Sequence, residues 1–101
     1  MDLSQSFTQE LIESYEISKK ELGYYPSRFV QMLSQKGGVE TARAIIAKGD
    51  VSEGFEKLSA SSRLDLSMEA AVIDPKYSVL FTDDEVNHCF ALLCECGYFK
   101  I

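Results

Sequence analysis

The sequence predicts an all-α fold: one compact domain that spans residues 1–101 and contains about six short helices. Two observations carry this prediction. Apolar residues recur at helical spacing along most of the chain, and glycine or proline separates the segments that show this spacing. With 46% apolar residues in 101 positions, the chain suits a single domain with its own hydrophobic core.

The first helix has an apolar face that runs from Phe7 to Leu22 at helical spacing. Ser6, with Gln9 three residues later, predicts a capping box at its start, because each side chain reaches the other residue's backbone N–H in that motif. Gly23 predicts its end, since glycine adopts the left-handed cap conformation without strain.

A second and a third helix follow in close succession. Pro26 suits the first turn of the second helix, because its missing N–H costs nothing there. Gly37 and Gly38 separate the two helices, and Gly49 ends the third, so the pair is similar to a helix–turn–helix. Their predicted inner positions are Phe29, Val30, Leu33, Val39, Ala42, Ile45 and Ile46.

A fourth helix is predicted to begin at a capping box formed by Asp50 and Glu53. Gly54 weakens this helix by about 1 kcal/mol relative to alanine. We interpret it as a place where another backbone approaches closely. The predicted inner positions are Val51, Phe55 and Leu58.

The segment after the turn at 59–62 has a different pattern. Leu64, Leu66 and Met68 alternate with polar residues, which is the spacing of a β-strand. The run is short and has no partner strand, so we expect an extended entry into a fifth helix over residues 67–73.

A short helical turn around residues 77–81 precedes the last helix. Thr82 with Glu85 is the clearest capping box in the chain and predicts the start of that helix, and Gly97 predicts its end. Its predicted inner positions are Val86, Cys89, Phe90, Leu93 and Cys96.

The charge is unevenly distributed along the chain. Residues 1–22 carry five acids and two bases, residues 23–64 carry four acids and six bases, and residues 65–101 carry seven acids and two bases, for a total of −6. An acidic chain is a poor general binder of nucleic acid, because phosphate contacts dominate that affinity. An acidic surface instead favours encounter with a basic protein.

The compartment is predicted from what the chain does not contain. No apolar run approaches the roughly 20 residues of a membrane helix, and no basic region followed by an apolar one opens the sequence. The three cysteines are clustered near the C-terminus and odd in number, unlike a secreted disulfide framework. We therefore expect a cytoplasmic protein that does not contact membranes.

Neither catalysis nor metal binding is predicted. The single histidine, His88, is adjacent to Cys89, and neighbouring residues on a helix point about 100° apart, so a nucleophile–base pair does not form. His88 and Cys89, together with Cys94 and Cys96, make four potential metal ligands. Zinc sites combine two separated pairs of ligands, whereas here all four surround one helix. We expect an exposed histidine beside a buried thiol, in a non-enzyme without cofactor or metal.

The candidate protein-binding residues lie at the two ends of the last helix and before the second one. Asp83, Asp84 and Glu85 complement the dipole of the helix they begin, and we predict that they are exposed and bind a basic partner. Tyr24 and Tyr98 each belong to a pair of adjacent aromatic residues, of which one is expected to face solvent. Exposed aromatic residues favour protein contacts.

The alternative is a nucleic-acid-binding adaptor that uses the basic segment 23–64. The third helix of the chain is the second member of this helix–turn–helix-like pair, and an exposed arginine on it would reach a groove of the nucleic acid. Against this, Glu40 shares the polar face of that helix, and both flanking segments are acidic. The candidate contacts are Arg28, Lys36, Arg43 and Lys48.

Five motifs occur in order between residues 23 and 85: GYYPSRF, GGVETA, SEGF, RLDLSME and LFTDDE. Together they resemble a small, uncharacterised helical domain of bacteria that occurs alone or beside nuclease and restriction-type modules. The resemblance brings no catalytic residues. By analogy it implies an accessory, regulator or inhibitor in a bacterial or phage nuclease or defence system, for example an inhibitor of the anti-CRISPR type, with a nuclease or defence-complex subunit as its partner.

Overall fold

The predicted all-α fold is confirmed by the structure, a computed structural model that describes residues 2–98. This range contains no β-strand, and none of its helices is long and apolar enough to cross a membrane. The helices are α1 (Leu3–Leu22), α2 (Ser27–Lys36), α3 (Gly38–Ala47), α4 (Phe55–Ala60), α5 (Met68–Ile73) and α6 (Asp83–Glu95), with 3-10 turns at Leu64–Leu66 and Ser78–Leu80.

The core forms around α1, which is longer than predicted at 20 residues and contacts α2, α3 and α5. Its inner face follows the predicted helical spacing. Phe7 packs edge-to-face against Tyr77 and Phe81, and Tyr15 packs in the same way against Phe29, with ring centroids 5.3 Å apart in each pair. Aromatic pairs prefer this arrangement because the edge of one ring meets the electron-rich face of the other.

The start of α1 differs from the prediction. The capping box consists of Asp2 and Gln5, not of Ser6 and Gln9. Gln5 N donates to Asp2 Oδ1 at 2.8 Å, and Asp2 N donates to Gln5 Oε1 at 3.1 Å. The helix therefore begins one turn earlier than predicted. Its end is as predicted, at Gly23 in the left-handed conformation with φ 68°.

The predicted capping box of Asp50 and Glu53 is wrong, because α4 begins later and without a side-chain cap. Gly54 precedes the helix with φ 88°, a conformation that glycine adopts without strain. A Cβ atom at Gly54 would lie 2.5 Å from the Tyr24 ring. The close approach predicted for Gly54 is therefore made by an aromatic side chain and not by another backbone.

The segment with strand-like alternation forms a 3-10 turn in place of the predicted extended entry. Leu64 and Leu66 are both buried and belong to the core. Ser67 then caps α5: its Oγ accepts a hydrogen bond from Ala70 N at 3.1 Å and donates one to Leu64 O at 2.7 Å. The predicted bounds of the fifth helix are otherwise close to those observed.

The inner face of α6 is narrower than predicted. Cys89 and Leu93 are fully buried and Val86 is half-buried, as the periodicity implies. Phe90, however, is 48% exposed, and Cys96 is exposed as the residue that follows the last helical turn. The difference arises because the packing of α6 against α5 and α3 buries a narrower stripe than the prediction assumed.

Candidate functional site

The first turn of α6 has the predicted capping box. Glu85 N donates to Thr82 Oγ1 at 3.2 Å, and Thr82 N donates to Glu85 Oε1 at 2.8 Å. Asp83 and Asp84 are exposed and form no salt bridge with any residue in the described range 2–98. Their charges complement the positive end of the helix dipole and are also available to a partner.

Glu85 differs from the two aspartates, and its predicted exposure is wrong. Its side chain is only 16% exposed, and Oε2 accepts a hydrogen bond from Arg43 Nε at 3.0 Å. Burial would raise the pKa of Glu85, but the hydrogen bonds from Thr82 and the charge of Arg43 outweigh it, so the pKa lies below its ordinary value. The ion pair joins α3 to α6 and connects a predicted acidic contact with a predicted basic one.

The solvent side of α6 combines acids with an exposed aromatic ring. Positions three, four and seven residues apart share one side of a helix. We define the α6 outer face as Asp83, Asn87, Phe90 and Cys94, together with Asp84 at its edge, all of which are exposed. The helix contains four acids and no lysine or arginine. The sequence prediction identified the two aspartates but placed Phe90 inside, so this combination was missed.

The two candidate tyrosines are not brought to the acidic turn. Tyr24 is half-buried between α1 and α2, with its ring against Gly54. Tyr98 is half-buried beyond the C-terminal end of α6. Since the 13 residues of α6 span about 20 Å, Tyr98 and Asp83 lie at opposite ends of the helix. The burial of each ring raises its pKa, helped by Glu53 at Tyr24 and by acids near Tyr98.

The predicted nucleic-acid contacts are distributed over two helices. Arg28 lies in the first turn of α2, Lys36 ends it, and Lys48 follows α3, all three exposed. The ten residues of α3 separate Lys36 from Lys48 by about 15 Å. Arg43, which lies between them, is paired with Glu85. A phosphate at Arg43 would therefore compete with an internal carboxylate.

The exposed side of α3 itself offers little positive charge. The helix packs against α1, α2 and α6, which leaves Glu40, Arg43 and Ala47 as its exposed residues between its two ends. One is an acid, one is the paired arginine and one is apolar. A recognition helix in a DNA groove normally presents several unpaired polar or basic side chains.

The thiol of Cys89 is not activated. It is fully buried, and this burial, together with Glu69 and Glu85, raises its pKa to about 12. A thiol with that pKa stays protonated at neutral pH and is a poor nucleophile. Within residues 2–98, no three side chains of the metal-binding types come together. Cys94 and Cys96 are exposed as free thiols.

A buried polar cluster that the sequence did not predict lies beneath α6. Glu69 is 1% exposed, and its two carboxylate oxygens accept hydrogen bonds from Ser52 N and Ser52 Oγ, each at 2.7 Å. Tyr15 Oη and His88 Nε2 are buried without a hydrogen-bond partner among the described residues, and His88 is half-buried where we expected it exposed. An acid within an apolar stretch, between Met68 and two alanines, was the available signal.

This cluster links separate segments of the chain and is buried from solvent. Burial raises the pKa of Glu69 even though the hydrogen bonds from Ser52 oppose that rise. Tyr15, Ser52 and Glu69 are each at most 2% exposed, so no reactant reaches the carboxylate without local opening. The two hydrogen bonds fasten the connection between α3 and α4 to α5.

The comparisons with known proteins found no match: no family model, no curated protein and no solved structure is similar to this chain. The resemblance of segment 23–85 to a bacterial helical domain thus stays a prediction.

Proposed function

We propose that this chain is a non-enzymatic protein-interaction domain that binds a basic protein surface through the α6 outer face. One observation carries the proposal. Phe90 is 48% exposed on the same side of α6 as Asp83, seven residues before it, with Asp84 at the edge of that side, in a helix with four acids and no base. An aromatic anchor with charged neighbours at its edge is the usual composition of a protein-binding surface.

A second apolar residue supports the same region. Val79, four residues before Asp83, is 76% exposed in the 3-10 turn that leads into α6. Large exposed apolar side chains are otherwise rare in this molecule: within residues 2–98, Ile17 on α1 is the one further example. Segment 79–90 therefore concentrates exposed apolar area and unpaired acids, which favours binding by combined burial and charge complementarity.

The proposed partner is a basic subunit of a bacterial or phage nuclease or defence complex. A surface that binds nucleic acid has cations placed for phosphates, and the carboxylates of Asp83 and Asp84 are suited to those cations. The chain would act as an accessory or regulator, or as an inhibitor of the anti-CRISPR type in which acids occupy phosphate sites. The net charge of −6 and the resemblance of segment 23–85 support this class of partner.

The nucleic-acid alternative has less support from the surface. It depends on Arg28, Lys36, Arg43 and Lys48, of which Arg43 is paired with Glu85. Binding that depends on Arg43 would have to break this pair. We keep this alternative as an outcome of the experiment.

The experiment is a pull-down from bacterial lysate with the tagged full chain, with and without nuclease treatment, read by quantitative mass spectrometry. Two variants alter the α6 outer face: Asp83→Asn with Asp84→Asn, and Phe90→Ala. A matched control, Glu13→Gln with Glu56→Gln, removes two exposed acids from α1 and α4. We expect a nuclease-resistant protein partner whose recovery falls at least about tenfold in both α6 variants, a loss of about 1.4 kcal/mol, and stays unchanged in the control.

Two results would contradict the proposal. Equal recovery of the partner by the wild type and by both α6 variants would remove the α6 outer face from the interaction. Recovery of nucleic acid, with protein partners lost after nuclease treatment, would favour the alternative. A salt-dependent gel shift that disappears in Arg43→Glu would then establish nucleic-acid binding.

A further inference from the structure

The solvent side of α6 extends beyond the residues that define the α6 outer face. Ala91 and Glu95 are exposed as well. With 3.6 residues per turn, all exposed residues of the helix then fall within an arc of about 140°. We call this surface the exposed arc of α6. It consists of the α6 outer face together with Ala91 and Glu95.

Acidic and uncharged residues are separated along the exposed arc. Asp83 and Asp84 lie at its N-terminal end and Glu95 lies at its C-terminal end, and none of the three forms a salt bridge within residues 2–98. None of the exposed residues between the two ends is an acid or a base, and Phe90, the largest of them, is 48% exposed. At a rise of 1.5 Å per residue, the two acidic ends are about 17 Å apart.

The uncharged centre of the arc suits contact with another helix. Ala91 and Cys94 are small side chains beside Phe90, so a facing helix can approach to the usual interaxial distance of about 8–10 Å. The backbone groups within α6 are bonded inside the helix. An extended segment would therefore leave its own N–H and C=O groups unpaired at this surface, whereas a helix satisfies them internally.

The charges determine which kind of helix fits. A second copy of α6 is unfavourable, because a parallel arrangement brings Asp83 to its own counterpart and an antiparallel one brings Asp83 to the counterpart of Glu95. Acid meets acid in both arrangements. Nucleic acid is repelled as well, since its phosphates are negative. A helix with a cation at each end is attracted at both ends of the arc.

We propose that the exposed arc of α6 binds an amphipathic helix of the partner protein, with an apolar side that has a lysine or an arginine at each end, about eleven residues apart. Eleven residues make about three turns, so both cations lie on one side of that helix and reach the acids at the two ends of α6. Apolar residues between them cover Phe90. The inference rests on the proposed function and names the structure that the basic partner presents.

The test is an NMR titration of the ¹⁵N-labelled full chain with two alanine-rich helical peptides of equal length and composition. In the first peptide, two arginines eleven residues apart share one side of the helix with two leucines between them. In the second, both arginines are moved to the opposite side. We expect saturable shifts at residues 83–95 with the first peptide and about tenfold weaker binding of the second, a difference of about 1.4 kcal/mol.

A charge-reversal variant tests the role of the two acidic ends. Asp83→Lys, Asp84→Lys and Glu95→Lys together place cations at both ends of the exposed arc. We expect this variant to bind a peptide with two glutamates in place of the arginines at least about tenfold more tightly than the arginine peptide. The wild type should have the reverse preference, because like charges then meet at both ends.

The matched control makes the same change in net charge elsewhere. Glu13→Lys, Glu16→Lys and Glu56→Lys alter three exposed acids on α1 and α4, and this variant should keep the preference of the wild type for the arginine peptide. Circular dichroism checks that each variant retains its helices. The comparison of the two arginine peptides uses the wild type alone, so it does not depend on the folding of any variant.

Three results would overturn the inference: equal binding of the two arginine peptides, saturable shifts confined to residues outside 83–95, or a folded charge-reversal variant that still prefers arginine. A partner recovered in the pull-down through Phe90, Asp83 and Asp84 would retain the proposed function even then. Conversely, a failed pull-down with the expected peptide preferences would overturn the proposed function alone.

Discussion

Glu69 and Glu85 are two glutamates that the fold places in opposite environments. Glu69 is 1% exposed and accepts hydrogen bonds from the backbone N–H and the hydroxyl of Ser52. Glu85 is partly exposed and accepts hydrogen bonds from Thr82 N and from Arg43. Burial raises the pKa of Glu69 despite its hydrogen bonds, whereas the hydrogen bonds and the arginine lower the pKa of Glu85 despite its partial burial.

The comparison shows what each kind of partner achieves. Neutral donors satisfy the lone pairs of a buried carboxylate, but they do not offset the cost of removing its charge from water. A cation beside a partly exposed carboxylate does offset that cost, because the carboxylate loses less hydration and the opposite charges attract each other. Glu69 consequently links α5 to the segment before α4 through hydrogen bonds, and its ionisation is costly. Glu85 links α6 to α3 through an ion pair, and that pair favours its ionised form.

The largest expected effect on stability comes from removing the buried carboxylate of Glu69, which accepts the two hydrogen bonds from Ser52. Glu69→Ala leaves Ser52 N and Ser52 Oγ buried without acceptors and opens a cavity, and we expect a loss of about 2–4 kcal/mol in the free energy of unfolding. Urea unfolding followed by circular dichroism measures it. Glu69→Gln retains an acceptor and removes the charge, so its loss should be smaller. A loss below about 1 kcal/mol in Glu69→Ala would show that the fastening contributes little.

The second prediction uses pH to separate the two carboxylates. Because the folded pKa of Glu69 is raised, wild type should gain stability relative to Glu69→Gln as the pH falls through that pKa towards the ordinary value of 4.5. Because the folded pKa of Glu85 is lowered, its advantage over Glu85→Gln should be present above 4.5 and lost as the pH falls below it. Each pKa unit corresponds to about 1.4 kcal/mol.

The measurement for this second prediction is the unfolding free energy of wild type and the two variants across that pH range. Parallel pH dependences for wild type and Glu69→Gln would contradict a raised pKa at Glu69.

A smaller effect is expected for the pair of Arg43 and Glu85. Glu85→Gln retains the capping box, since glutamine also occupies that position of the motif, so it isolates the ion pair. A double-mutant cycle with Arg43→Ala should give a coupling of about 0.2–1 kcal/mol, because the arginine is 47% exposed. A coupling indistinguishable from zero would mean that the link between α3 and α6 depends on apolar packing alone.

An effect on stability of similar, small size is expected at the exposed acids. Asp83→Asn removes a charge that interacts with the helix dipole, worth about 0.3–1 kcal/mol at most, and leaves the capping box intact. Thermal unfolding at low ionic strength should therefore show a slight decrease. A larger loss than that of Glu69→Ala would reverse the comparison and assign Asp83 a structural role.

Capping boxes illustrate how far local motifs predict structure. The sequence predicts three capping boxes, and of these three only the box of Thr82 and Glu85 is present in the structure. Asp2 offered an earlier start to α1 than Ser6. Gly54, in the left-handed conformation and next to the Tyr24 ring, immediately precedes α4, so the helix begins after the predicted box. A cap acts only where the helix begins, and contacts that are remote in sequence help to decide that position.

The candidate site was predicted in part. Asp83 and Asp84 were identified as exposed acids, because their place at a helix start follows from local sequence. Phe90 was assigned to the interior, since its spacing fits the inner stripe as well as that of Val86, and only the packing of α6 against α5 and α3 decided which residues are covered. The exposure of Phe90 is the observation on which the proposed function depends.

The sequence by itself determined the all-α class, the approximate positions of the helices and most of the core, because helical periodicity and the turn preferences of glycine and proline act over a few residues. Only the tertiary structure decided the ion pair of Arg43 and Glu85 and the hydrogen bonds between the buried Glu69 and Ser52. These features join residues that are far apart in the chain, and their energies depend on solvent exclusion and charge geometry that exist only after the helices pack.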